Sequence, residues 1–266
     1  MTSEMPLWEP SADILARSPM AVFMKAAGRS AGRDLKSYEE LHAWSVEDRA
    51  AFWTAIWDGC GVIGGKGATA LENGERMLEA RFFPDGRLNF AENLLRKTGP
   101  DDAIIFRGED KVSYRWSWDE LRARVSKLQQ AFAAMGIGEG DRVAAMMPNM
   151  PETIVCMLAA ASLGAIWSSC SPDFGEQGVL DRFGQIEPKL FIACDAYWYA
   201  GKLQDVSGKV KAVAAKLEVP VLVVHYAGDA AALAAALPDG RTLDALTAPY
   251  EAMPLAFAQL PFSHPL

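Results

Sequence analysis

Leu121, Val125, Leu128, Phe132 and Met135 follow one another at steps of 4, 3, 4 and 3, which sets them on one side of a helix. Ser117-Trp118-Asp119-Glu120 ahead of that stripe is a capping box, and Gly136 behind it supplies a stop. Upstream, Ala103 to Phe106 and Val112 to Trp116 flank Gly108-Glu109-Asp110 and predict a β-hairpin. Downstream, short apolar runs alternate with helical spacings. Strands are expected over Arg142 to Met147, Ala165 to Ser169, Leu190 to Cys194 and Val221 to His225. The helices between them are expected over Pro151 to Leu163, Glu176 to Ile186, Lys202 to Leu217 and Asp229 to Leu237. Near-continuous apolar strands with helices between them predict an α/β fold with a mostly parallel, doubly wound sheet.

The chain before about Leu95 reads differently, as helical and rich in aromatic residues. Ser45 with Asp48 suits an N-terminal cap and an acidic first turn. Val46, Trp53, Ile56 and Trp57 then fall at helical spacings, and the helix is expected to end near Gly59. That aromatic stripe reads as a packing face. Pro84-Asp85-Gly86 is turn chemistry. The expected organisation is an N-terminal helical cap over 1–95 and an α/β domain over 96–266.

Half of the 266 residues are hydrophobic, enough for a sizeable core, and the formal net charge is −8. An acidic chain without a basic stripe argues against nucleic acid as a partner. Cys60, Cys156, Cys170 and Cys194 are far apart, and only three histidines are present, so no zinc site is expected. The cysteines read as free thiols in a reducing compartment. Met1 to Pro6 lacks the start of a signal peptide, and the apolar stretch Thr153 to Trp167 is broken by Ser162 and Gly164. It falls short of the roughly 18 residues of a membrane span, so no membrane partner and a cytoplasmic location are expected.

Two glycine clusters imitate phosphate loops. Cys60 to Gly67 lacks the first glycine and the final Ser or Thr of a Walker A loop and follows a helix. Gly136-Ile137-Gly138-Glu139-Gly140 lies between a helix and a strand, the reverse of the dinucleotide order. Both read as turns. There is no nucleophile elbow and no H-E-x-x-H helix, so no catalytic residue or metal ligand is assigned. Two loops after strands are more pointed, since open α/β sheets bind ligands at the carboxyl ends of their strands. One is Ala165 to Gly175, where a strand gives way to a helix, with Ser171 and Phe174. The other is Asp195 to Lys202, where Tyr197, Trp198 and Tyr199 could stack on a base and Lys202 could meet a phosphate. On composition alone, ordinary packed loops are the favoured reading of both.

Particular stretches also resemble a known family. Pro6-Leu7-Trp8-Glu9-Pro10-Ser11, Phe83 to Leu95 and Ser162 to Gly175 are similar to acetoacetyl-CoA synthetases. Gly140 to Ala144 and Met147 to Thr153 resemble the wider acyl-CoA synthetase group of adenylate-forming enzymes. The resemblance runs through the whole chain in order. It implies the adenylate-forming fold and a two-step, AMP-forming ligase. Acetoacetate would attack the α-phosphate of ATP, and CoA would then displace AMP, with Mg2+ neutralising the phosphates. In related acetyl-CoA synthetases, two arginines meet the CoA 3′-phosphate, at positions held here by Tyr199 and Lys202. The aromatic that stacks on the CoA adenine falls at Ser171, with Phe174 nearby. The resemblance also implies that the phosphate loop, hinge and adenylation lysine belong beyond Leu266. The isolated chain is therefore expected to be inactive, with self-association through exposed sheet edges.

A ligase for acetate, propionate or another short acid is the nearer rival. A non-catalytic binding or interaction module is the rival of another class. A dinucleotide oxidoreductase is weaker, lacking the strand, glycine turn and helix in order.

Overall fold

The computed structural model describes residues 7–266, so the readings that rest on Met1 to Pro6 lie outside the described residues. Two compact units are present, one running to Arg87 and including Pro261–Ser263, the other Leu88–Leu260 with His264–Leu266.

The first unit is helical. It contains α1 (Ala12–Arg17), α2 (Pro19–Ala31), α3 (Tyr38–Glu47) and α4 (Arg49–Gly59). Ser11, Ser18 and Ser37 each cap a helix by accepting a backbone N–H, and Pro19 occupies the first turn of α2. The expected start at Ser45 is corrected. Ser45 sits inside α3 and donates to the His42 carbonyl at 2.7 Å, while Asp48 caps α4 through Ala51 N–H at 3.0 Å. A carboxylate also complements the positive end of the helix dipole, and Asp48 adopts a non-helical backbone that separates the two helices. Val46 consequently belongs to α3 and is exposed, whereas Trp57 of α4 is buried. Trp57, Phe83 and Phe262 form an aromatic cluster, Trp57 and Phe83 having ring centroids 4.9 Å apart. Lys66, in the glycine cluster read as a turn, is bound to the Asp58 carboxylate at 2.7 Å.

The second unit opens with α5 (Phe90–Leu94), then β1 (Asp102–Gly108) and β2 (Val112–Ser117), the expected antiparallel hairpin. Ser117 and Glu120 form both halves of a capping box for α6 (Trp118–Ala134). Leu121, Val125, Leu128 and Phe132 are buried along one side of α6. At about 1.5–3 kcal/mol per buried side chain, that stripe outweighs propensity differences of a few tenths per residue.

Next come β3 (Arg142–Met146), α7 (Pro151–Ser162), β4 (Ile166–Cys170), α8 (Glu176–Phe183) and β5 (Leu190–Cys194). A short hairpin follows, β6 (Ala196–Tyr199) and β7 (Lys202–Asp205), then α9 (Ser207–Leu217), β8 (Val221–Val224), α10 (Ala230–Ala235), β9 (Gly240–Thr242) and α11 (Leu243–Thr247). The main sheet has five strands in the order β9-β8-β5-β3-β4, all parallel. Every residue of β5 and β8 is buried, as strands covered on both faces must be. Helix α6 packs on α7, and α8 on α9.

After β8 and β9 comes a polar clamp. Side chains of α6 hold the extended segment after α11: Ser126 Oγ donates to the Met253 carbonyl at 2.7 Å and accepts its N–H at 2.9 Å. Gln129 treats Ala256 the same way, at 2.5 and 3.2 Å. Buried Asn89 donates to Ala258 O at 2.9 Å and to Ala161 O at 3.0 Å. Cys156, Cys170 and Cys194 are buried thiols outside any disulfide, and Cys60 is an exposed cysteine, likewise not in a disulfide. Burial pushes the Cys170 thiol up to about 11 and that of Cys194 up to about 12. Among the described residues, no helix is long and apolar enough to cross a membrane.

Candidate functional site

The strand order reverses between β3 and β5. From β3 the chain steps outward to β4, then returns across β3 to build β5, β8 and β9 on the other side. Loops leaving such a pair diverge and open a crevice at the carboxyl ends of the strands. A cavity of about 270 Å3 lies there. Pro148 and Asn149 after β3, Ser171, Pro172 and Asp173 after β4, and Tyr226 after β8 line it. Tyr197, Trp198 and Tyr199 of β6 complete that side, and Phe106 to Glu109 of the β1–β2 hairpin form the other.

Carboxylates tie these loops together. Asp173 Oδ2 accepts from Ser171 Oγ at 2.6 Å, and its Oδ1 accepts from the Tyr197 hydroxyl. The Ser171 and Tyr197 hydrogen bonds hold the Asp173 carboxyl below the usual range. Burial, with Asp173 alongside, pushes the Tyr197 phenol up to about 12, so it remains a donor at neutral pH. Glu109 Oε2 accepts from Gly201 N–H at 2.7 Å, joining the first hairpin to the β6–β7 turn.

Asp195 is the deepest of these groups, 3% exposed at the end of β5. Its Oδ1 accepts the N–H groups of Ala196, Tyr226 and Ala227 at 2.7, 2.9 and 3.1 Å. Its Oδ2 lies 2.7 Å from His225 Nδ1. Burial pushes this carboxyl up, and the hydrogen bonds from Tyr226, His225, Ala227 and Gly228 together outweigh it and hold the acid below its usual range. The charged form therefore fixes the start of β6 and the loop after β8, which carry Tyr197 and Tyr226 into the cleft.

The structure brings Ser171 and Tyr199 to the same cavity, while Phe174 and Lys202 are outside its lining. Phe174 lies beneath the Arg182 guanidinium, 4.1 Å from its ring centroid. Lys202 is not at a helix start, which corrects the expected Lys202 to Leu217 helix. The helix begins at Ser207, and Lys202 pairs with Tyr199 across a two-residue turn. Ala200 and Gly201 have φ of 52° and 73° there, the geometry that lets a short turn follow the twist of its strands. Alternation over four residues was too short a signal, and Ala is an unusual residue for that first turn position.

Arg107, Glu109, Asn149, Tyr226 and Asp195 are site residues that sequence reasoning did not assign. For Asp195 a local signal existed, a lone acid directly after five apolar residues. The hairpin residues carried none, because their approach to the sheet edge is a long-range event. Among the described residues, no group of three His, Cys, Asp or Glu could hold a metal ion.

Residues 91–256 match the family model of the AMP-binding enzyme, and residues 38–94 match that of the acetyl-coenzyme A synthetase N-terminus. Acetoacetyl-coenzyme A synthetase of Rhizobium meliloti (strain 1021) is 65% identical over all of this chain, which covers 41% of that protein. Acetoacetyl-CoA synthetase of Macaca fascicularis is 36% identical over 98% of the chain and 40% of its own length. The solved acetoacetyl-CoA synthetase from Streptomyces lividans superimposes with a TM-score of 0.89 at 34% identity, over 98% of this chain and 40% of that one. The chain thus spans about two fifths of the length of these relatives.

Proposed function

The chain belongs to the AMP-binding enzyme family, and from this we propose that it is the N-terminal part of an acetoacetate–CoA ligase. The complete enzyme would activate acetoacetate with ATP to the acyl-adenylate, releasing pyrophosphate. The CoA thiolate would then attack the acyl carbon, forming the thioester as the bond to AMP breaks. The role of this portion is to receive CoA.

The observation that carries this role is the cleft at the reversal of strand order. It is walled by tyrosines, has a volume of about 270 Å3, and is lined by both Ser171 and Tyr199. Aromatic walls and polar groups suit the nucleotide end of CoA, since a base stacks on a ring face and its amino edge meets acceptors. Phe174 and Lys202 would act at its rim. Lys202 shares a face of the hairpin with Tyr199, and its flexible stem offers a point charge where the acetyl relatives offer an arginine fork. The described residues supply no cluster for Mg2+, so ATP and its metal would be held by other parts of a complete ligase. A cytoplasmic location belongs to the same reading.

The test is made in the full-length protein. Acetoacetate-dependent pyrophosphate exchange and CoA-dependent thioester formation are both expected. Phe174→Ala and Lys202→Ala should each raise the KM for CoA and leave pyrophosphate exchange as it was. A CoA dependence unchanged in both variants would retire those two assignments. A preference for acetate or propionate would replace acetoacetate as the acid.

A further inference from the structure

Resting on the CoA reading of the cleft, we infer that Asp173, in the loop after β4, is the acceptor that takes the exocyclic amino group of the CoA base. Three observations lead there. First, the carboxylate itself is placed at the cavity. Asp173 lines it and is exposed, and its two oxygens are held by two other side chains of the lining. Oδ2 accepts from Ser171 Oγ at 2.6 Å, and Oδ1 accepts from the Tyr197 hydroxyl. The side chain cannot turn away from the cleft without breaking both bonds.

Second, the carboxylate is charged and has room for a further donor. Those two hydrogen bonds hold the acid below its usual range, so at neutral pH it is ionised and only accepts. Each carboxylate oxygen has two lone pairs, and one donor on each leaves acceptor sites open. Lys209, the cation that acts on it through space, donates instead to the Pro172 carbonyl at 2.6 Å. A negative acceptor at this position attracts N–H donors and repels phosphate oxygens. In a CoA nucleotide the amino edge of the adenine is the N–H donor, and the phosphates are the anions. The base is thus drawn to Asp173 and the phosphates are turned toward the rim.

Third, the group is set before a ligand arrives. Asp173 N–H donates to Ser171 Oγ at 3.2 Å, so backbone and side chain both close on the same serine. Tyr197 belongs to β6, whose start is fixed by the Ala196 N–H bond to Asp195 at 2.7 Å. Held from two elements, the carboxylate needs little ordering when a base binds. Stacking on the tyrosines of the cleft tolerates any base, since every base has a π-face. The choice among bases falls to Asp173, because a base with a carbonyl at that edge would set an acceptor against an acceptor.

The experiment compares CoA with etheno-CoA, whose amino nitrogen is closed into a fused ring and cannot donate, as substrates of the full-length enzyme. The unsubstituted enzyme is expected to show a KM for etheno-CoA about tenfold to a hundredfold above that for CoA, the worth of one charge-assisted hydrogen bond. Asp173→Ala should raise the KM for CoA by a similar factor and leave that for etheno-CoA nearly unchanged, which removes the preference. The unchanged value is itself the control for folding. Asp173→Asn, which keeps the shape and one neutral acceptor, should narrow the preference without abolishing it. A loss shared equally by both compounds would mean that Asp173 only shapes the loop, and would overturn the inference. So would an unchanged KM for CoA in both variants, or the absence of any preference in the unsubstituted enzyme. Failure of the unsubstituted enzyme to use CoA at all would remove the reading beneath the inference, and the inference with it.

Discussion

Asp195 is almost inaccessible, yet it is ionised at neutral pH because backbone N–H groups and His225 converge on it. An amide keeps one acceptor for the backbone N–H groups but loses the charge they recognise and turns Nδ2–H toward His225 Nδ1. Alanine would leave those N–H groups without an acceptor. Asp195→Asn is therefore expected to lower the unfolding free energy by about 2–4 kcal/mol in urea titration. The linkage has a definite sign. The folded-state carboxyl is held below its ordinary value of 3.8, so its contribution is full above that pH and fades as pH falls through the folded value. The acid limb of the stability curve should accordingly be shallower in Asp195→Asn. An unaltered acid limb would mean that the charge is not what the hydrogen bonds recognise. At this scale the aromatic residues of the cleft could be picked out as candidates, whereas Asp195 read merely as the first residue of a loop.

Elements show where local chemistry was sufficient and where it was overruled. The Ser117 capping box, the buried stripe of α6 and the stop at Gly136 agree with expectation because each depends on residues within a few positions. Ser117→Ala should cost about 1 kcal/mol of stability, measured by chemical denaturation. The start of α4 was misplaced because Ser and Asp are both good caps, and only the packing of α3 decided which one was free to act. The β6–β7 hairpin was hidden for a related reason. Its lysine and following polar residues continue a helical spacing, but tethers at Asp173, Asp195 and Glu109 hold them extended. The β1–β2 hairpin offers a direct check of the close approach at its end. Gly108→Ala should displace the Tyr226 ring and lower stability by about 1–3 kcal/mol. Tyr226→Phe in the same chain, lacking the hydroxyl that the new methyl group meets, should restore most of that loss. A double variant no better than Gly108→Ala would show that the contact does not limit the hairpin.

Across the second unit, the clamp on the segment after α11 joins residues more than a hundred positions apart. Gln129 and Ser126 each satisfy both backbone groups of one residue, as a neighbouring strand would. Gln129→Ala should accelerate amide hydrogen exchange at Ala256 and its neighbours well before it affects β5 or β8. Exchange that stays slow at Ala256 would assign the clamp to Asn89 and Ser126 instead. The periods of apolar residues, the caps and the glycine stops are properties of short windows, so they sufficed for an α/β chain with a helical front and for most of its strands and helices. They also placed Ser171 and Tyr199 after strands, because strand ends are local. What needed the tertiary structure was the strand order and everything that meets across it. The reversal between β3 and β5, the approach of the β1–β2 hairpin to Tyr226, and the burial of a charged Asp195 all join distant residues. Their energies exist only once the sheet has closed, because hydrogen bonding and desolvation depend on who the neighbours are, and spacing along a chain does not record that.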